Sequence, residues 1–255
     1  MPGAIPDLIG LRSRGALLDE LARGVALRHK LTAAVLVMAA GASLYGAALG
    51  SWRGGPQIGY AAFKLPLVLL VTAAITLLFN WMLAVLLGLR VRFAQVAVLT
   101  FLALAVAAVV LASLVPVAWL FAVTVAPPSP AARTTHNLLY LFHTVMVAGA
   151  GLAGMSVLWQ SLERLAAEHG AGRAGSRRQA RKIFAAWVLS FALVGGEVAW
   201  ALRPFVGSIY FPSAFLRAAA LDGNVYEFIA RDIVPHLLFA NRSEPTAPTG
   251  TEGGR

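Results

Sequence analysis

The chain has 255 residues, 59% hydrophobic and 13% charged, against about 45–50% and 25% in ordinary soluble domains, and its mean hydropathy is +0.75. That balance excludes a water-soluble globule, and the absence of cysteine excludes disulfides, thiolate metal sites and cysteine nucleophiles. The net charge of +10 falls in the gaps between apolar runs and lacks the aromatic-rich basic platform of a nucleic-acid binder, so no nucleic-acid partner is expected.

Residues 1–30 form a charged leader. Within it Leu17, Leu18, Leu21 and Val25 recur at helical spacing, with Asp19, Glu20 and Arg23 opposite. This pattern predicts an amphipathic helix lying on the inner leaflet, or alternatively docking a cytoplasmic partner. Five runs then have the length and apolarity to cross about 30 Å of hydrocarbon as helices: 31–52, 65–89, 93–126, 134–162 and 183–202. The first is too long, behind too long a leader, for a secretory signal, whose apolar core is about 7–15 residues. The third lies in the uncharged stretch 93–132, has no polar turn at its middle, and reads as one span with a kink at Pro116. Pro127-Pro128-Ser129-Pro130 stops it.

A flexible link at 168–176 and a basic cluster at 177–182 separate the last two spans. After the fifth, 204–242 reads as an outer interfacial segment with a surface helix over 225–239, and 243–255 as a disordered tail. The predicted fold is all-α: a polytopic transmembrane bundle of five spans. Lys and Arg are concentrated in 1–30, at Arg90 and Arg92, and in 163–182, whereas the alternate short loops hold only Arg53, Lys64 and Arg133. The positive-inside rule then predicts N-inside and C-outside, with the basic segments facing anionic lipids of the cytoplasmic leaflet.

The stretch Trp200-Ala201-Leu202-Arg203-Pro204-Phe205-Val206-Gly207-Ser208, with Phe211-Pro212 and Asn224-Val225-Tyr226-Glu227, resembles the end of a family of uncharacterised bacterial multi-pass inner-membrane proteins. Lys64-Leu65-Pro66-Leu67 similarly resembles that family's entrance to the second span. The five-helix layout is also similar to that of Yip1-type membrane proteins, in plan rather than in residues. These resemblances imply a shared fold and no reaction; the expected inner-membrane location rests on composition. The excess of arginine over lysine and the abundant alanine agree with a GC-rich bacterial source.

Polar groups inside spans are costly, and Asn80, His143 and Glu197 are the candidates. By helical rise Glu197 lies about 8 Å and His143 about 13 Å from the outer end, so the two can meet on consecutive spans. A Glu–His pair could carry a proton; alternatively Glu197 pairs with Arg203, His143 bonds locally, and Asn80 joins helices. Gly46 and Gly50, Gly149, Gly151 and Gly154, and Gly195 with Gly196 are candidates for close helix packing, the first pair within a dimer. Gly149 to Gly154 spells G-x-G-x-x-G but lies mid-span, not between a strand and a helix, so it is no dinucleotide site. Asp222, Glu227, Asp232 and His236 read as a solvated face.

No enzyme signature, catalytic residue, metal or cofactor is expected. The first functional expectation is a non-catalytic membrane subunit or assembly partner, binding other membrane or periplasmic proteins through an outer segment of Pro204, Phe205, Gly207, Tyr210, Phe211 and Pro212. The alternative is a transporter or permease component, with proton coupling running through His143 and Glu197 and Asn80 lining the path. A lipid-directed enzyme would need a convergent acid/base or nucleophile set that the sequence does not assemble.

Overall fold

A computed structural model describes residues 14–169, 173–208, 211–216 and 223–228. Contacts divide the chain into Met1–Ala220 and Leu221–Arg255. Among the described residues the first unit holds α1 (Arg14–Ala22), α2 (Leu27–Gly50), α3 (Pro56–Leu86), α4 (Phe93–Ser113), α5 (Val115–Thr124), a short 3-10 turn (Pro130–Ala132), α6 (Arg133–His169) and α7 (Arg173–Ala201). The second unit contributes α8, Val225–Phe228; the rest of the expected 225–239 helix, the 243–255 tail and residues 1–13 of the leader lie outside the described residues.

Local chemistry sets the helix ends. Gly54 and Gly55 both take positive φ (71° and 55°), and Pro56 follows at the first helical position, where its fixed φ suits the helix and its missing N–H is no loss. The second span therefore starts well before the expected 65. It ends at Leu86 because Gly88 (φ 86°) closes a left-handed cap: its N–H bonds Val85 O at 2.9 Å and the next N–H, of Leu89, bonds Ala84 O at 2.9 Å. The uncharged stretch 93–132 breaks at Leu114, so the single span expected over 93–126 is α4 followed by the short α5, with Pro116 inside the first turn of the latter. Helices α6 and α7 run beyond the apolar runs that predict them, through the polar flanks 163–169 and 173–182, so that residues 168, 169 and 173–176 of the expected flexible link are helical.

Five of these helices are long and apolar enough to cross a membrane: Leu27–Gly50, Pro56–Leu86, Phe93–Ser113, Thr134–Ala167 and Gly175–Ala201. They close a ring in which α2 packs on α3, α3 on α7, α7 on α6, α6 on α4, and α4 back on α2. Trp187, Ile183, Leu162, Leu165 and Leu99 are buried towards one end, Tyr45, Trp52 and Leu139 towards the other. The outer faces are apolar too: Leu36, Leu44, Ile75, Leu78, Leu141, Val145, Leu152, Leu189 and Leu193 all stay exposed. Such a surface is stable only against lipid or protein, and the chain is an integral, multi-pass membrane protein by this layout.

Glycine determines how close α2 comes to its neighbours. A Cβ on Gly41 would fall 2.6 Å from Ala108 O of α4, one on Gly50 2.5 Å from Gln57 O of α3, and one on Gly46 would collide with Ala61 O of α3. Gly46 and Gly50 are thus occupied within the chain, which replaces the expected dimer contact by an internal one. A Cβ on Gly154 would fall 2.5 Å from Ala103 O of α4, whereas one on Gly149 or Gly151 would meet open space and one on Gly195 would make ordinary contact with Thr72; Gly196 is half-buried.

The leader helix also differs from expectation. Leu18 and Leu21 of α1 are buried, Leu18 against Leu102 of α4 and Val157 of α6. Leu18 and Leu21 of the expected stripe are spent on the bundle, whereas Val25 stays exposed; periodicity marks an apolar face without naming what covers it. Lys30 Nζ holds Glu20 at 2.8 Å and Arg164 Nη1 holds Asp19 at 2.7 Å, so α1 is clamped to α2 and α6.

Two outcomes follow. Gly46→Val should destabilise the folded protein by about 1–3 kcal/mol through overpacking while Gly149→Ala stays within about 0.5 kcal/mol, as thermal unfolding in detergent would measure. The Lys30 ammonium beside Glu20 holds that carboxyl below its ordinary value of 4.5. A depressed folded value means the pair's contribution is complete above 4.5 and is lost as pH falls through the lower folded value. Protection of the α1 amides, taken relative to their intrinsic exchange rate at each pH, should therefore fall in acid below that value, and less so in Glu20→Gln, where the switching pair is already gone.

Candidate functional site

At the end of the ring where α2 turns into α3, the chain leaving α7 folds back across the bundle as a strap, residues 203–208 and 211–216. Gln57 and Lys64 are seven residues apart on α3, so they share one face of the helix, and both are fully buried. Gln57 Nε2 donates to the carbonyls of Pro204 (3.2 Å) and Phe205 (2.8 Å), and Lys64 Nζ donates to Pro204 O (3.1 Å). The ammonium also lies 5.1 Å from the ring centre of Phe215 and 6.0 Å from that of Phe205, within reach of the attraction between a cation and an aromatic face. A buried ammonium is tolerable only with such compensation.

Further contacts fasten the strap. Gly207, at φ 104°, lets the backbone settle on Arg53, whose Cβ and Cγ would be 2.9 Å from any added side chain. Arg53 Nη2 donates to Phe211 O at 3.4 Å, and His136 Nε2 lies 3.2 Å from Gly207 O. The His136 ring rests between Trp52 (5.5 Å) and Tyr140 (4.8 Å). Tyr60 and Phe63 hold Phe215 at 5.7 and 6.0 Å. Pro204, Val206 and Gly207 are buried beneath, while Phe211, Pro212 and Leu216 point outward. Tyr210, also expected in this segment, lies outside the described residues.

The intramembrane candidates fall at separate places. His143 is buried on α6, with Nδ1 2.9 Å from Tyr45 Oη of α2 and its Nε2 unpartnered among the described residues. Glu197 is half-buried on α7 and forms no ion pair with His143 or Arg203 among the described residues. Arg203 instead stacks its guanidinium on the Trp200 ring at 3.7 Å and donates to Trp200 O at 2.8 Å. Asn80 joins α3 to α7: its side-chain oxygen accepts Ser190 Oγ at 2.7 Å and its carbonyl accepts Trp187 Nε1 at 2.9 Å. Among the described residues no three His, Asp or Glu side chains gather as a metal site.

Sequence reasoning missed the site's central residue. Lys64 counts as a loop residue if the second span starts at 65, yet it stands eight residues into α3, about 12 Å from its start. The signal was available in Gly54-Gly55-Pro56, a helix start, followed by one cation in an otherwise apolar run. Tyr45 and Gln57 carried no such mark.

Compared with known proteins, the chain matches no family model, no curated protein and no solved structure. The segments Lys64-Leu65-Pro66-Leu67 and Trp200 to Ser208 meet at the strap through Lys64 and Pro204.

Lys64→Met keeps the stem and removes the charge-assisted bond, a loss of about 1.5–3 kcal/mol. Limited proteolysis of the reconstituted protein should then cut within 203–216 faster than in the unaltered chain, with the five spans still protected. Equal cutting rates would show that the strap is held without Lys64.

Proposed function

We propose that this protein is a non-catalytic membrane subunit or assembly partner, and that the strap is its contact surface for another membrane or periplasmic protein. The observation that carries this reading is the two-sided character of the strap: its backbone carbonyls are bound from below by Gln57, Lys64 and Arg53, while Phe211 and Leu216 are 60% and 52% exposed above. A segment fixed in place with apolar side chains turned outward is pre-organised for binding, because little conformational entropy remains to be lost. The buried polar groups support a non-catalytic role, since Tyr45 with His143 and Asn80 with Ser190 each tie one helix to another and do not converge on a common point.

We place the protein in the bacterial inner membrane, with the α1 end cytoplasmic and the strap end outside. The support is the basic excess around α1, the loop between α3 and α4, and the link between α6 and α7, together with the resemblance of the strap and Lys64 segments to inner-membrane proteins. A second reading, transport, draws on the buried Nε2 of His143, which has no partner among the described residues.

Affinity isolation from gently solubilised membranes tests the first reading, comparing the full chain with Phe211→Ala/Leu216→Ala. A protein retained in near-stoichiometric amount by the former and reduced about tenfold or more on loss of these two anchors supports the subunit role. If nothing is retained by either, that role falls, and proton-driven uptake in vesicles, abolished by His143→Ala or Glu197→Gln with insertion intact, becomes the reading to beat.

A further inference from the structure

At the opposite end of the bundle three arginines share one open recess. Its walls are Arg23 just past α1, Arg90 and Arg92 in the loop before α4, and Gly88, Val85 and Gln95, around a volume of about 750 Å³, within the size range of small-ligand sites.

The recess is built by local backbone chemistry. Gly24 (φ 77°) and Gly88 (φ 86°) end α1 and α3 in the same way. In α1, Gly24 N bonds Leu21 O at 3.0 Å and Val25 N bonds Glu20 O at 2.9 Å, so the last carbonyls are satisfied internally. Gln95, buried at the start of α4, joins the walls: its amide donates to Leu21 O (3.1 Å) and Ala22 O (2.8 Å), and its oxygen accepts Arg92 N (2.9 Å). Gln179 Nε2 and Trp81 Nε1 take the carbonyls of Leu87 and Val91 at 2.8 and 3.1 Å. The carbonyls of Leu21, Ala22, Leu87 and Val91 are thereby occupied and present less negative charge to an anion.

Charge pairing leaves the same three arginines over. Among the described residues Glu20 is paired with Lys30, Asp19 with Arg164 and Glu163 with Arg177. Among the described residues Arg23 donates to Asp19 O at 3.2 Å and also acts on the Glu20 carboxyl through its charge, and none of Arg23, Arg90 and Arg92 is held in an ion pair. The recess is a concave positive site with several guanidinium forks free for phosphate oxygens.

What lies below it indicates the ligand. Val85 lines the recess, and Ile75, Leu78, Met82 and Val85, spaced three, four and three residues apart, form one stripe along α3, each about half exposed. Ten residues of helix span about 15 Å, half of a hydrocarbon core of about 30 Å. The stripe is thus as long as one leaflet and ends at the arginines.

We propose that this recess binds the phosphate headgroup of an acidic glycerophospholipid whose acyl chain lies along the Ile75–Val85 stripe. The proposal rests on the membrane placement and is independent of what the strap binds. Native mass spectrometry of the detergent-solubilised full chain tests it, with phosphatidylglycerol and phosphatidylcholine as probes and inorganic phosphate as competitor.

One phosphatidylglycerol should be retained per chain in preference to phosphatidylcholine. Affinity should fall about tenfold or more in Arg90→Gln/Arg92→Gln, and also fall in Arg23→Gln, which alters a different wall. Arg178→Gln/Arg181→Gln, exposed on α7 and not part of the recess lining, should leave retention unchanged, and all variants should elute as the unaltered protein does. Equal retention of the two lipids, or equal loss in the α7 variant, would overturn the site in favour of diffuse charge. Displacement of the lipid by millimolar inorganic phosphate would overturn the lipid assignment in favour of a free anion. Failure of the unaltered chain to enter bilayers would instead overturn the membrane placement, a separate result.

Discussion

The close approach of α2 to α3 and α4 is the constraint on which the remaining geometry depends. Three glycines on α2 let it touch the backbones of Ala61, Gln57 and Ala108. In hydrocarbon there is little solvent-driven force between helices, so contact of this kind, through small residues, is a principal source of cohesion. With α3 drawn against α2, Gln57 and Lys64 lie beneath the strap; with α4 drawn in from the other side, Tyr45 is aligned with His143 across the ring. Substituting any of these glycines would move the neighbouring helix and, with it, the polar groups that the helix carries.

Polar groups then give the apolar contacts a register. Short polar ties link the helices at three places: Tyr45 to His143 between α2 and α6, Asn80 to Ser190 and Trp187 between α3 and α7, and Gln95 from α4 to the end of α1. Such bonds are worth on average about 0.6 kcal/mol in a membrane, so their importance is in fixing register rather than in total stability. Lys64 is different in degree, because a buried charge without its partner is far costlier than a buried amide.

The sequence was most informative where one property decides the outcome. Apolar length located all five spans, and the distribution of arginine marked the end at which Arg23, Arg90, Arg92 and Arg164 gather. It was least informative where partner choice decides. The stripe of Leu18 and Leu21 looks the same whether it meets lipid or Leu102 and Val157. Gly46 and Gly50 signal a close neighbour but not whether that neighbour is α3 or a second chain. His143 and Glu197 are at compatible depths, yet rotation of α6 turns the imidazole to Tyr45, and a depth estimate contains no rotation. The helix start at Gly54-Gly55-Pro56 was legible in principle; hydropathy obscured it, because the polar residues Gln57 and Lys64 made α3 look shorter than it is.

The bond between Lys64 and Pro204 joins residues 140 positions apart. At about 5–20 residues per second of synthesis, the cation is made on the order of ten seconds before the carbonyl that receives it. For that interval α3 leaves the insertion machinery with an uncompensated ammonium about 12 Å inside its start, and its stem must reach towards the interface to keep the charge hydrated. Maturation of the first hairpin is therefore a late event: it waits for the last span to be delivered and for the chain behind it to fold back, so a ribosome that stalls before residue 204 leaves behind a protein whose opening helices are inserted but not yet settled.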